Sequence, residues 1–273
     1  MRSRSDFPPI SSGAPVVTTY VAACYAVFAL TVLRTGRLTN SIRQPGDWGW
    51  FLLLDPGRVT AYGQWWRVFT SALVHLSLTH LLFNMLLVFL IGRELERFYG
   101  SWVIAGSMVA GVSGGAMFCM FMEPYSAMGG ASTVGFAFCV MLLGLAHLRQ
   151  QDLVAPFALI LINFGYTFTT ENVSAWAHIG GAVAGAFVSA VLRISYLRHN
   201  SRDEHAIAER SDRHIGRRLA SQTGVLPGAG GAAGGQPGAG LTPGVLPVWI
   251  VALTLTALAL WVGFNGVTTI SFI

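Results

Sequence analysis

Residues Trp102–Met122 read WVIAGSMVAGVSGGAMFCMFM, without one Asp, Glu, Arg or Lys. As an α-helix this run is about 31 Å long, matching the roughly 30 Å hydrocarbon core of a bilayer. Six further apolar runs flank it, at Pro15–Leu33, Leu76–Glu94, Ser132–Leu148, Leu153–Thr169, Ala175–Ile194 and Leu246–Phe264. In hydrocarbon a backbone must satisfy its own hydrogen bonds, and a helix does so within one segment. Only 11% of the 273 residues are charged and the mean hydropathy is +0.57, too few charges to clothe a water-soluble surface of this size. The expected fold class is therefore an all-α polytopic membrane protein with seven spans.

Outward from these runs the chain divides into four parts. Residues 1–14 form a short N-terminal segment and residues 15–194 a six-helix membrane core. Residues 195–245 are basic and then Gly/Pro-rich, which reads as a flexible linker. Residues 246–273 carry a seventh helix that hangs off the core. The first run is long for a signal-peptide core and lacks a cleavage pattern, so it is expected to be retained. Between the first two spans, Arg34 to about Val74 contains Trp48, Trp50, Phe51, Trp65 and Trp66. Such aromatic segments favour the membrane–water interface.

The net charge is +5, and all 17 basic residues are arginine. Arginine without lysine, with abundant Ala and Gly, suits a GC-rich bacterial genome, hence a bacterial plasma (inner) membrane. Seven arginines lie between Arg193 and Arg218, beside a span, which is a cytoplasmic topology signal and no sign of nucleic-acid binding. Arg2 and Arg4, Arg93 and Arg97, Arg149 and the Arg193–Arg218 cluster fall on one side if the spans alternate. That side is expected to be cytoplasmic, with the N-terminus on it and the connections carrying Glu123 and Glu171 outside. The five arginines from Arg34 to Arg67 oppose this orientation; structured loops can translocate despite their charge. Cys24, Cys119 and Cys139 all lie in apolar runs and read as small buried residues.

His80, Asn84, Ser132, Asn163 and His178 are the polar residues that stand out at membrane depth. A strongly polar group left unpaired in lipid costs several kcal/mol, so such residues point to function. His80 and Asn84 are i, i+4 and share a helix face. His178, Gly181 and Gly185 share another, and Gly181–Gly185 is a GxxxG pattern that lets helices approach closely. Spans 2, 4 and 6 all start at the outer side, so His80, Asn84, Ser132 and His178 come to a similar shallow depth. A hydroxyl at the head of one helix against an imidazole at the head of another could attack a carbonyl, the imidazole acting as base. The Ser132 backbone N–H, with the His80 and Asn84 side chains, would stabilise the oxyanion. No carboxylate lies inside a span to orient His178, so the expectation is a dyad. Each residue also has an ordinary reading. Ser132 can be a helix N-cap, His178 an interfacial residue, Asn163 an interhelical hydrogen bond, and the glycines packing. His75 and His80, five apart, are poorly placed to share a metal. Spacing alone leaves a transporter or channel open, although such a protein would be expected to carry buried carboxylates or matched broken helices.

Four motifs then carry a resemblance. Trp66-Arg67 precedes His75-x4-His80-x3-Asn84; Glu96 and Gly100 form ExxxG; Gly130-Ala131-Ser132 forms GxS; and Ala177-His178-x2-Gly181-x3-Gly185 forms AHxxGxxxG. In this order the motifs resemble those of the rhomboid intramembrane serine proteases, over about Trp65 to Leu192. The resemblance implies peptide-bond hydrolysis in or beside transmembrane helices of single-span or polytopic membrane-protein substrates, without a metal or organic cofactor. It implies Ser132 and His178 as the catalytic pair and His80 and Asn84 at the oxyanion. Trp66, Arg67, Glu96, Gly100, Gly130, Gly181 and Gly185 are then framework positions. It further implies a loop around Trp66-Arg67 lying partly in the membrane, a fifth span that gates substrate entry, and a six-plus-one helix arrangement. Two positions depart from the family pattern. Thr133 stands where Gly is usual after the serine, and Phe136 where some members carry Tyr on the histidine. Thr133 is the one sequence feature favouring the alternative, a catalytically silent relative that binds membrane helices.

Overall fold

In a computed structural model the described residues, 13–169, 174–223 and 244–270, are built from helices and the turns that join them. The N-terminal Arg2 and Arg4, the loop residue Glu171 and residues 224–243 of the expected linker lie outside the described residues. The helices are α1 (Pro15–Thr35), α2 (Pro56–Tyr62), α3 (Arg67–Thr70), α4 (Leu78–Tyr99), α5 (Ser101–Met122), α6 (Ser132–Leu148), α7 (Val154–Thr169), α8 (Ala175–Thr223) and α9 (Val245–Ile270). Apolar helices thus stand at all seven expected places. By length and composition five of them, α1, α4, α5, the Ala175–His199 part of α8 and α9, can cross a membrane, while α6 and α7 are shorter. The protein is an all-α, multi-pass membrane protein.

Local chemistry sets the helix ends. Ser77 caps α4 by accepting the His80 N–H at 3.1 Å. Pro56 opens α2, whose cap Asp55 accepts the Arg58 N–H at 3.0 Å. Gly100, at φ 87°, ends α4 and starts α5, a left-handed geometry that disfavours any other residue. Glu96 is buried and reaches across to the start of α1, accepting Val16 N–H at 3.0 Å, Val17 N–H at 2.9 Å and Ser101 Oγ–H at 2.7 Å. A carboxylate on the first turn of α1 satisfies donors that the helix itself cannot.

α5 runs through the centre, buried from Val103 to Met120 on most sides, and packs against α8 and α9, with α6 closing the other flank. α8 continues past the expected end of span 6, Ile194, as one helix to Thr223, because its polar continuation contains neither glycine before Gly216 nor any proline. α9 lies along α5, where Ser113 Oγ and Thr256 Oγ1 are 2.8 Å apart.

The first loop is folded in its own right. Arg67 is 1% exposed and is held by neutral acceptors: Nη1 donates to the Trp50 and Leu53 carbonyls, each at 2.7 Å, and Nε to Gln64 Oε1 at 2.6 Å. The Trp66 ring packs on Phe51, centroids 5.2 Å apart. Arg37 pairs with Asp47 at 2.6 Å and Arg58 with Asp55 at 3.4 Å.

Candidate active site

Ser132 is the first residue of α6 and His178 lies in the first turn of α8. The Ser132 Oγ and His178 Nε2 atoms are 2.7 Å apart, although 46 residues separate them in the chain. His178 is 5% exposed. Its ring stacks on Phe136, one turn further along α6, with centroids 4.4 Å apart and planes at 28°; Phe136 in turn meets Phe164 of α7 edge-on at 4.6 Å. An imidazole fixed between a hydroxyl and an aromatic face has little freedom to turn away.

The contact requires α6 and α8 to touch backbone to backbone. A Cβ on Gly181 would strike the Thr133 carbonyl and lie 3.0 Å from Thr133 Cα; one on Gly185 would strike the Ala137 carbonyl. The GxxxG spacing is thus used as a groove into which α6 sinks. Thr133 turns its side chain the other way, its Cγ2 towards Gly115 of α5, and is 2% exposed. The residue that departs from the family pattern is therefore packed into the helix interface.

The loop before Ser132 is anchored at Met128, Gly130 and Ala131. Met128 and Leu54 exchange backbone hydrogen bonds, both at 2.9 Å. The Gly130 N–H donates to the Ser71 carbonyl at 2.9 Å, and the Ala131 N–H to His75 Nε2 at 3.3 Å. Gly130 sits at φ 143°, and a Cβ there would lie 2.8 Å from His80 Cε1 and 2.9 Å from His80 Nε2. Glycine is needed both for the backbone and to admit the His80 ring. The first bond of α6 runs from Gly135 N–H to the Ala131 carbonyl. The N–H groups of Ser132, Thr133 and Val134 lie ahead of it at the helix N-terminus, where negative charge is stabilised.

Asn84 Nδ2 donates to the His80 carbonyl at 2.9 Å, so one amide hydrogen is engaged on its own helix and the second is available. Asn163 Nδ2 donates to the Leu159 carbonyl at 2.8 Å on its own helix.

The sequence reading names His75 only as a motif position and a poor metal ligand, and Ser71 not at all. Burial pushes the His75 imidazole down to about 3, with the neighbouring His80 adding to the effect, so the ring is neutral. Because Nε2 accepts from Ala131, the proton sits on Nδ1, which faces the Leu73 carbonyl without a well-aligned bond. The spacing of His75 from His80 was visible, but its partner, a backbone N–H 56 residues away, was not. Among the described residues no three His, Cys, Asp or Glu side chains converge as metal ligands do.

The family model for the rhomboid domain matches residues 62–195. The chain is 31% identical over 138 residues to the rhomboid protease GluP of Bacillus subtilis (strain 168), covering 48% of this chain and 27% of GluP. It is 31% identical over 144 residues to the rhomboid relative YdcA of the same organism, covering 47% of this chain and 68% of YdcA. It is 29% identical over 160 residues to the rhomboid protease AarA of Providencia stuartii, covering 46% of this chain and 56% of AarA. The chain thus spans from about a quarter to about two thirds of the length of these relatives. The matched stretch contains Ser132, His178 and the loop that joins Ser71, His75 and Gly130, and the chain belongs to the rhomboid family.

Proposed function

We propose that this protein is an intramembrane serine endopeptidase that hydrolyses peptide bonds in or near transmembrane helices of membrane-protein substrates. The observation that carries the reading is the 2.7 Å contact between Ser132 Oγ and His178 Nε2. His178 Nε2 takes the hydroxyl proton as Oγ attacks the scissile carbonyl. The resulting oxyanion is stabilised by the Ser132 N–H, the free Asn84 amide hydrogen and His80. His178 then passes its proton to the leaving amine, leaving an acyl ester on Ser132. Water, deprotonated by His178, cleaves that ester, and the proton returns to Ser132. In this reading Ser132 and His178 carry both proton transfers as a dyad.

The proposed setting is a bacterial plasma membrane, with the N-terminus cytoplasmic, a six-span core over 15–194 and an additional span from 246. Three of the five arginines of the first loop are engaged within it and weigh less against this orientation. Arg37 and Arg58 are paired within the loop and Arg67 is buried among carbonyls. They are internal to a folded segment and act less as free topology signals.

The test is a purified, full-length protein given a fluorophosphonate probe and a single-span reporter substrate. Wild type is expected to label and to cleave; Ser132→Ala and His178→Ala are expected to do neither while still inserting. Cleavage by Ser132→Ala at the wild-type rate would remove the hydroxyl from the mechanism. Labelling without cleavage of any of several transmembrane reporters would favour the helix-binding alternative.

A further inference from the structure

The seventh helix lies outside the residues matched by the rhomboid family model, as does nearly all of α2. Yet the two helices pack against each other. A Cβ on Gly263 of α9 would lie 2.9 Å from Val59 Cγ1 of α2 and 3.6 Å from Met120 Sδ of α5. Leu54, Val59, Met120, Ala177 and Ala259 belong to one small buried cluster, with Met128 packed against it. That cluster joins α9 to the residue before His178 and to both members of the Leu54–Met128 bridge. α9 is itself fixed lengthwise on α5. Thr256 Oγ1 donates to the Ala252 carbonyl at 2.8 Å, so at the 2.8 Å contact Ser113 is the donor. Near the other end of α9, a Cβ on Gly106 of α5 would lie 3.0 Å from Val248 Cγ1.

We propose that α9 is a positioning element for the nucleophile: it seats α2 and thereby, through the Leu54–Met128 bridge, holds the loop that presents Ser132. The inference rests on Ser132 being the nucleophile. Ser71 and His75 hold Gly130 and Ala131 from within the family core, whereas the backbone of Met128 is hydrogen-bonded to Leu54, two residues before α2 begins. Loss of the α9 support therefore frees the far end of the loop while its near end stays anchored. The Ser132 hydroxyl then samples positions away from His178, and misplacement by about 1 Å can cost about 100-fold in rate.

The experiment uses full-length protein in detergent or vesicles. Gly263→Val places methyl groups against Val59; Val59→Ala removes the atoms they strike. Gly263→Val is expected to lower kcat and Ser132 probe labelling about 10- to 100-fold with KM little changed. Amide hydrogen exchange is expected to rise in the peptides carrying Leu54 and Met128. The double variant Gly263→Val/Val59→Ala is expected to return to within about threefold of Val59→Ala alone. Unchanged exchange at Leu54 and Met128, or a loss that Val59→Ala does not relieve, overturns the proposal. If Gly263→Val does not insert, Gly263→Ala, which adds the single close carbon, carries the same comparison. A wild-type protein that neither cleaves nor labels would defeat the protease reading alone. The exchange data would still decide whether α9 holds the loop.

Discussion

In the proposed mechanism Ser132 and His178 act as a unit, so removal of either side chain is expected to lower cleavage by of the order of 10⁶-fold, the scale on which serine–histidine pairs fail when one member is lost. In the same proposed mechanism Asn84 contributes one hydrogen of an amide whose other hydrogen is tied to the His80 carbonyl. Asn84→Ala is accordingly expected to reduce kcat about 100-fold with KM nearly unchanged, measured on the reporter substrate. A raised KM with kcat unchanged would point instead to substrate docking. His75 makes a prediction about stability. Its folded-state value of about 3 lies below its ordinary 6.5. Protonation therefore favours the unfolded chain. The stabilisation from keeping His75 neutral is complete above about pH 6.5 and is lost as pH falls towards 3. The melting temperature in detergent is expected to drop across that window, and His75→Gln is expected to flatten the drop. Identical pH slopes for the two proteins would assign the acid sensitivity to other groups. His75 and Ser71 could be read as motif-adjacent residues, but nothing in a one-dimensional pattern links them to the N–H groups of Ala131 and Gly130.

The helices show where periodicity is informative and where it is not. Seven apolar stretches become helices, six of them within about six residues of their expected limits and α8 running on through polar residues to Thr223, because in hydrocarbon a continuous apolar run has no other way to satisfy its backbone. The GxxxG of α8 predicts close approach; the identity of the partner, α6, emerges only from packing. Gly185→Val is expected to destabilise the protein by about 1–3 kcal/mol through overpacking against Ala137, and to abolish probe labelling by parting Ser132 from His178. Thermal unfolding and labelling measured on the same sample would separate these two effects. Glu96 illustrates the reverse case. ExxxG was legible as a motif, yet its carboxylate caps the head of α1, accepting from Val17, 79 residues earlier in the chain. Glu96→Ala leaves those N–H groups buried without a partner. It is expected to cost about 1–3 kcal/mol, read as a lower unfolding temperature.

For the whole molecule, orientation is the property to test. Alkaline-phosphatase fusions after Tyr125 are expected to be active outside, and fusions after Gln151 inactive on the cytoplasmic side; the inverse pattern would reverse the proposed topology. Composition and run length alone determined that this is an all-helical membrane protein, since hydrophobic length and charge scarcity are properties of the chain and need no partner. Motif order, equally one-dimensional, determined the family. Only tertiary structure decided that the first loop is a folded platform, with Arg67 holding its carbonyls and Arg37 and Arg58 paired within it. It likewise decided that the seventh helix lies against that platform rather than apart from the core. Both depend on contacts between segments far apart in sequence. Their energies come from matched shapes and satisfied polar atoms, which no single stretch of residues contains.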